Sequence, residues 1–244
     1  MLILSGSCYH APVSLQQVNA PTKGEAAYTM LRDAVRRGTL KPGQRVTLVD
    51  LADQLGMSLT PVREALRMMA SQGLVEQESN KFTTITQYTL DRGLEVYRLR
   101  ILLEPMAVEH AVRVATDDQL KQLRDVHERA LAELGGGQSG VLADLNYDFH
   151  MAIYTVSDQP LLVQFIERLW NGIPFQAISL TGRNATSLDE HQAILVAIEA
   201  RDAELAASLM RTHIANAARG TLLTLPTTRD QQEVHAEIEA LVKG

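Results

Sequence analysis

Cysteine is almost absent. A single one, Cys8, excludes a disulfide scaffold and any multi-cysteine zinc or iron–sulfur site. Aromatic residues make up only 5% of the 244 positions, while alanine and leucine are abundant, which favours helix over a β-sandwich. No apolar run approaches the roughly 20 residues that span a bilayer, so no membrane partner is expected. The opening MLILSGSCYHAPVSLQQ lacks a basic stretch, and its apolar run Leu2–Leu4 is too short for a signal peptide, which predicts a cytoplasmic protein. Neither a Gly-rich phosphate loop nor a nucleophile motif occurs. What is present is an ordinary globular balance, 45% hydrophobic and 21% charged, at a length that allows one or two domains.

The charge is divided unequally. Residues 1–87 carry net +2 and residues 88–244 net −8, making up the total of −6. Such a division points to different partners for different domains.

Residues 1–22 are uncharged and read as a loose tail. From Gly24 to Gly38, Ala27, Met30, Leu31, Ala34 and Val35 recur at helical spacing. Lys41-Pro42-Gly43 is a turn. Two short helices follow, Leu48–Leu55 closed by Gly56, then Pro61–Gln72 closed by Gly73, with Ser58 or Thr60 as N-cap. Leu74–Gln77 and Phe82–Thr86 read as strands around Ser79-Asn80. This is the plan of a winged helix-turn-helix over residues 23–87. After Tyr88 helical periodicity runs through Leu94–Val114, Asp118–Leu134, Val141–Val156, Leu161–Ser179, Leu188–Ala200, Ala203–Leu223 and Arg229–Val242, with Thr116, Ser157 and Ser187 as cap candidates. The expected fold is therefore mainly α, a winged helix-turn-helix followed by an all-α bundle over residues 88–244.

A recognition helix buries one face and offers its N-terminal turns to the major groove. Here Val62, Ala65, Leu66 and Met69 form the buried stripe. Ser58, Thr60, Arg63 and Arg67 remain for phosphates and base edges. Lys41-Pro42-Gly43, Leu51-Ala52 to Gly56, Ser58-x-Thr60-Pro61-Val62-Arg63-Glu64-Ala65-Leu66 and Gln72-Gly73-Leu74-Val75 closely resemble the GntR family of bacterial transcriptional regulators. The resemblance implies a double-stranded DNA operator as partner and a DNA-contacting role for Arg63, with Lys81 in the wing. Leu59 stands where the family commonly has arginine, and Ser79-Asn80-Lys81 replaces a Gly-rich wing tip, so an atypical operator is expected.

Seven histidines are present, and three of them join one oxygen donor in a pattern suited to Zn²⁺, Ni²⁺ or another first-row divalent ion. Asn146 and His150 stand i,i+4 on one helix face, while His191 and His213 lie 22 residues apart across a turn near Arg201-Asp202. Taken singly, each is an ordinary core or surface histidine. Together with Arg100-x-x-x-Glu104 and Phe149, they resemble the FadR-C-terminal (FCD) ligand-binding domain, over about residues 92–224. That resemblance implies an all-helical effector domain with Asn146, His150, His191 and His213 around a divalent metal, and a small-molecule effector. Asn at 146 removes one negative charge from such a site. Arg100 either receives an effector carboxylate or pairs with Glu104. Trp170 and Phe175 are core or pocket residues. The leading expectation is a homodimeric transcription factor, a repressor tuned by a metabolite. The alternative is a metal-dependent enzyme using the three histidines; against it, no paired Glu or Asp stands beside the ligands as an evident general base, Asp148 being the one candidate left open.

Overall fold

The computed structural model describes residues 21–77, 82–134, 139–172 and 183–243. The tail, apart from Pro21 and Thr22, lies outside them, as do Ser79, Asn80, Lys81 and Phe175.

The first core is built from α1 (Lys23–Arg36), β1 (Arg45–Val46), α2 (Leu48–Leu55), α3 (Leu59–Ser71), β2 (Val75–Gln77) and β3 (Thr83–Ile85). Helix α1 starts at a capping box in which Thr22 and Glu25 satisfy each other's backbone N–H. It buries Ala27, Leu31 and Val35 against α3. Gly56 closes α2 at φ 62°, a left-handed conformation that glycine adopts without penalty. Helix α3 begins two residues earlier than the Pro61 start. The first four N–H groups of a helix have no internal partner, so Pro61 costs nothing in the first turn. The sheet has three strands in the order β1-β3-β2, all antiparallel, with Arg45 opposite Thr84 and Glu76 opposite Thr84. The two-residue strand β1 is too short to announce itself by alternation.

A second, larger core is helical. It comprises α4 (Leu90–Val114), α5 (Asp117–Glu133), α6 (Ser139–Val156), α7 (Pro160–Trp170), α8 (Asn184–Glu199), α9 (Ala203–Leu222) and α10 (Gln231–Lys243). Helix α4 is the spine, and α9 packs along it. Two adaptations permit this contact. A Cβ on Gly93 would lie 2.6 Å from side-chain carbons of Leu222 and Leu225, so any larger residue there would force both leucines to shift. Pro105 inside α4 leaves the Ile101 carbonyl without its helical donor. Arg211 of α9 supplies one, donating from Nη1 at 3.2 Å.

Thr116 caps α5 with a second capping box, and Asp117 and Asp118 occupy its first turn. Ser157 and Ser187 are not N-caps. Ser157 donates its hydroxyl to the Tyr154 carbonyl, which ends α6, and α8 starts three residues before Ser187. Helix α7 ends at Trp170 with Asn171 as its C-cap, short of the expected end at Ser179; residues 173–182 lie outside the described residues. Arg201, at φ 59°, makes the turn between α8 and α9, and its guanidinium donates to the carbonyls of Val112 and Ala115.

Candidate metal centre and recognition helix

Three helices each bring one imidazole to the middle of the second core. His150 comes from α6, His191 from α8 and His213 from α9, all buried. The Arg201 turn sets α8 and α9 antiparallel, so the side chains at 191 and 213 meet. The Nε2 atom of His213 lies 3.1 Å from that of His150 and 3.3 Å from that of His191. Tetrahedral ligand nitrogens at the usual Zn–N distance of about 2.0–2.1 Å stand roughly 3.3 Å apart.

The partners of the other ring nitrogens decide where the protons are. His213 Nδ1 lies 2.7 Å from Glu190 Oε2, and a carboxylate only accepts, so Nδ1 carries the proton. Burial opposes the Glu190 charge, but hydrogen bonds from His213 and Asn216 and the nearby Arg183 outweigh it and hold its carboxyl below the ordinary range. His150 Nδ1 lies 2.8 Å from the Tyr154 hydroxyl, which donates its own proton to Glu104. Burial keeps that phenol protonated, so it must accept from His150. In a neutral imidazole whose proton is on Nδ1 the lone pair sits on Nε2, and the two Nε2 atoms face each other at 3.1 Å. Burial, with the mutual repulsion of the histidine charges, also pushes His150 and His191 well below the ordinary imidazole range. Among the described residues, three buried imidazoles converge with their ligand atoms within 4.8 Å of one another, an arrangement that fits a divalent cation. The His–carboxylate arrangement at His213 is the kind that orients metal-bound imidazoles.

Asn146, one turn before His150 and half-buried, lines the cavity that opens beside the histidines. The cavity measures about 50 Å³ and is also bounded by Tyr97, Arg100, Trp170, Arg183 and Thr221. Arg100 is buried between the rings of Tyr97 and Trp170, and Glu104 takes its Nε and, at 3.3 Å, its Nη2. Of its two sequence readings the salt bridge is therefore present, at the cavity wall.

Tyr154 and Glu190 were not picked out by sequence, and Glu104 was picked out only as the partner of Arg100, not for its contact with Tyr154. Tyr154 stands i,i+4 from His150 and was within reach of the same helical rule; Glu190 gave no signal beyond its place before His191. His127 was also overlooked. It is buried beside His191, with ring centroids 6.5 Å apart.

In the first core, Ser58 occupies the N-cap of α3 without spending its hydroxyl on the cap. Ser58, Thr60, Arg63 and Arg67 are all exposed on α3, and Leu59 is exposed among them. The two cores touch through α6. Arg36 of α1 pairs with Asp144 at 3.1 Å and lies over the Tyr147 ring at 4.4 Å. Gln72, just past α3, accepts from both Tyr28 and Asn171, at 2.7 and 2.8 Å.

Comparison with known proteins agrees with both halves. Residues 23–85 match the bacterial regulatory proteins of the gntR family, and residues 95–216 match the FCD domain. The chain belongs to the GntR family of transcriptional regulators. It is 32% identical to the HTH-type transcriptional regulator McbR of Escherichia coli over 205 residues, covering 82% of this chain and 88% of that one. It is 28% identical over 190 residues to a probable D-xylose utilization operon transcriptional repressor of Paenarthrobacter nicotinovorans, covering 74% and 80%. The solved structure of E. coli McbR superposes with a TM-score of 0.72 at 28% identity, covering 82% of this chain and 99% of that one. These GntR-family relatives are regulators, not enzymes, so the metal-dependent enzyme alternative is withdrawn. Among the described residues, no helix is long and apolar enough to cross a membrane.

Proposed function

We propose that this GntR-family chain is a homodimeric repressor whose operator binding is tuned by a small organic acid at a metal centre in the helical domain. The observation that carries the reading is the convergence of the His150, His191 and His213 Nε2 atoms, at 3.1 and 3.3 Å from one another through His213, beside a cavity lined by His191 and His213. Asn146, His150, His191 and His213 would hold one divalent ion, Zn²⁺ or Ni²⁺. Bound there, the ion supplies a Lewis-acidic position for a carboxylate oxygen. The cavity, which has room for only about four water-sized groups, favours a short acid. Arg100 and Arg183 stand in its wall as cations for a second oxygen.

On the DNA side, α3 enters the major groove with Ser58, Thr60, Arg63 and Arg67 on its exposed face, and Lys81 in the wing adds a phosphate contact. One such helix reads about half a site, which is why the working unit is a dimer. Coupling runs through α6. The helix that brings Asn146 and His150 to the centre also grips Arg36 of α1 by Asp144 and Tyr147, and α1 packs on α3. An acid that binds one setting of α6 better than another therefore shifts the setting of α3.

The test is selection of an operator from random DNA, followed by titration with metal-free protein, Zn²⁺-loaded protein, and loaded protein with two- to six-carbon acids. The expected result is a defined half-site repeated with two-fold symmetry, and an affinity that an acid shifts only in the loaded protein. No sequence preference, or an acid response indifferent to metal removal, would overturn the reading.

A further inference from the structure

Two of the three converging histidines have their outer nitrogen committed. Nδ1 of His150 is held by the Tyr154 hydroxyl and Nδ1 of His213 by Glu190. Nδ1 of His191 makes no hydrogen bond among the described residues, although the ring is buried and its Nε2 faces the centre. A buried polar atom without a partner is destabilising and rare. A second ring with the same deficiency stands beside it. His127 of α5 is buried, and neither of its nitrogens makes a hydrogen bond; the Gln192 amide near the ring lies outside bonding geometry. This pair of rings therefore holds three buried nitrogens in need of partners.

The two rings meet at an edge. Their centroids are 6.5 Å apart and their planes 66° apart, while Phe149 stacks on His191 at 4.3 Å and takes one of its faces. That separation is too long for a direct hydrogen bond and suits one water, which sits about 2.8–3.0 Å from each nitrogen it bonds. The cavity beside the centre is bounded by His191 and by Ala130, three residues after His127 on α5, which opens it to water on this side. A ligating imidazole carries its proton on the nitrogen away from the metal, and that N–H needs an acceptor. At neutral pH His127 lies above the ordinary imidazole pKa of about 6.5, which burial lowers further, so the ring keeps one lone pair. We propose that His127 is the positioning residue of the third ligand, accepting the His191 Nδ1 proton through one bridging water when a divalent ion is on Nε2. This rests on the metal centre proposed above and completes it. Each ligand ring then has its own outer partner, and α5, which carries no ligand, is tied to the centre.

The experiment is competition for Zn²⁺ between the full chain and a chromophoric chelator at neutral pH, with thermal unfolding of the metal-free forms alongside. His127→Phe removes the acceptor and keeps an aromatic ring, and is expected to bind Zn²⁺ about 10–100-fold more weakly than wild type. Its metal-free form is expected to melt at or above the wild-type temperature, because an apolar ring leaves no unpaired nitrogen of its own. His127→Gln, which restores an acceptor, is expected to bind Zn²⁺ within about threefold of wild type. A histidine that only filled space would move the melt and the affinity together. In Zn²⁺-loaded wild type, nuclear Overhauser spectra are expected to show a long-lived water in contact with the ring protons of both His127 and His191, a readout that needs no variant to fold. Zn²⁺ affinity of His127→Phe within about twofold of wild type, failure of His127→Gln to restore it, or no such water overturns this role and leaves the centre standing. A wild type that takes up no Zn²⁺ overturns the centre and this role with it.

Discussion

Replacing Glu190 by glutamine removes one charge and almost no volume, three bonds away from any proposed ligand atom. The carboxylate accepts the His213 Nδ1 proton at 2.7 Å, takes a second donor from Asn216 at 2.7 Å and is flanked by Arg183 at 3.0 Å. A hydrogen bond to a charged partner contributes about 1.5–3 kcal/mol and one between neutral groups about 0.5–1.5, so the exchange costs roughly 1–2 kcal/mol. That loss falls on the metal-bound state, because a cation on Nε2 makes the His213 Nδ1 proton more acidic and the charged acceptor more valuable. Loss of an outer partner of a ligating histidine typically weakens a metal by 10–100-fold. At 1.36 kcal/mol per decade the two estimates overlap near 10–30-fold. The assay is competition for Zn²⁺ against a chromophoric chelator at neutral pH, with thermal unfolding of the metal-free forms as control. Wild-type affinity in Glu190→Gln, within about twofold, would refute the reasoning that fixes the His213 tautomer.

Other expectations follow from the same geometry. Arg63→Ala should lower operator affinity by about 1–3 kcal/mol at fixed salt, measured by gel shift on the selected operator; unchanged binding by the folded variant removes Arg63 from the interface. Arg36→Ala should leave Zn²⁺ affinity within about twofold while shrinking the metal- and acid-dependent change in operator affinity by threefold or more; an undiminished response means the coupling does not pass through α1 and α6. Metal-free protein should lose stability as pH falls below about 6.5. His150 and His191 stay neutral when folded, because burial and neighbouring histidines depress them, whereas the unfolded chain takes up both protons at ordinary imidazole pKa values. Nothing is lost above that pH. Below it the slope is at most about 1.4 kcal/mol per pH unit for each histidine, and denaturant melts in EDTA showing a flat profile from pH 6.5 to 5 would contradict it.

Much of the fold was legible because it depends on local signals. Capping residues such as Thr116, the left-handed Gly56 and the apolar spacing of Ala27, Leu31 and Val35 act within one or two turns. The i,i+4 relation placed Asn146 and His150 on one face, and the turn at Arg201-Asp202 was enough to expect His191 and His213 side by side. What escaped depends on contacts between distant segments. The two-residue strand β1 exists only because β3 pairs with it. Glu190 reaches His213 across the α8–α9 turn, and Glu104 reaches Tyr154 from a helix 50 residues away. The latch between Arg36 and Asp144 joins segments that share no pattern at all. Ser157 and Ser187 failed as caps for the opposite reason: a serine near a helix boundary has several local partners, and the backbone chose another.

The central claim is that one divalent ion sits among these imidazoles, and metal content tests it most directly. Untagged protein incubated with Zn²⁺ or Ni²⁺, passed through a desalting column and analysed by mass spectrometry for elements, should carry one ion per chain. His150→Ala/His213→Ala, treated identically, should carry none. Equal and negligible metal in the two proteins would contradict the account.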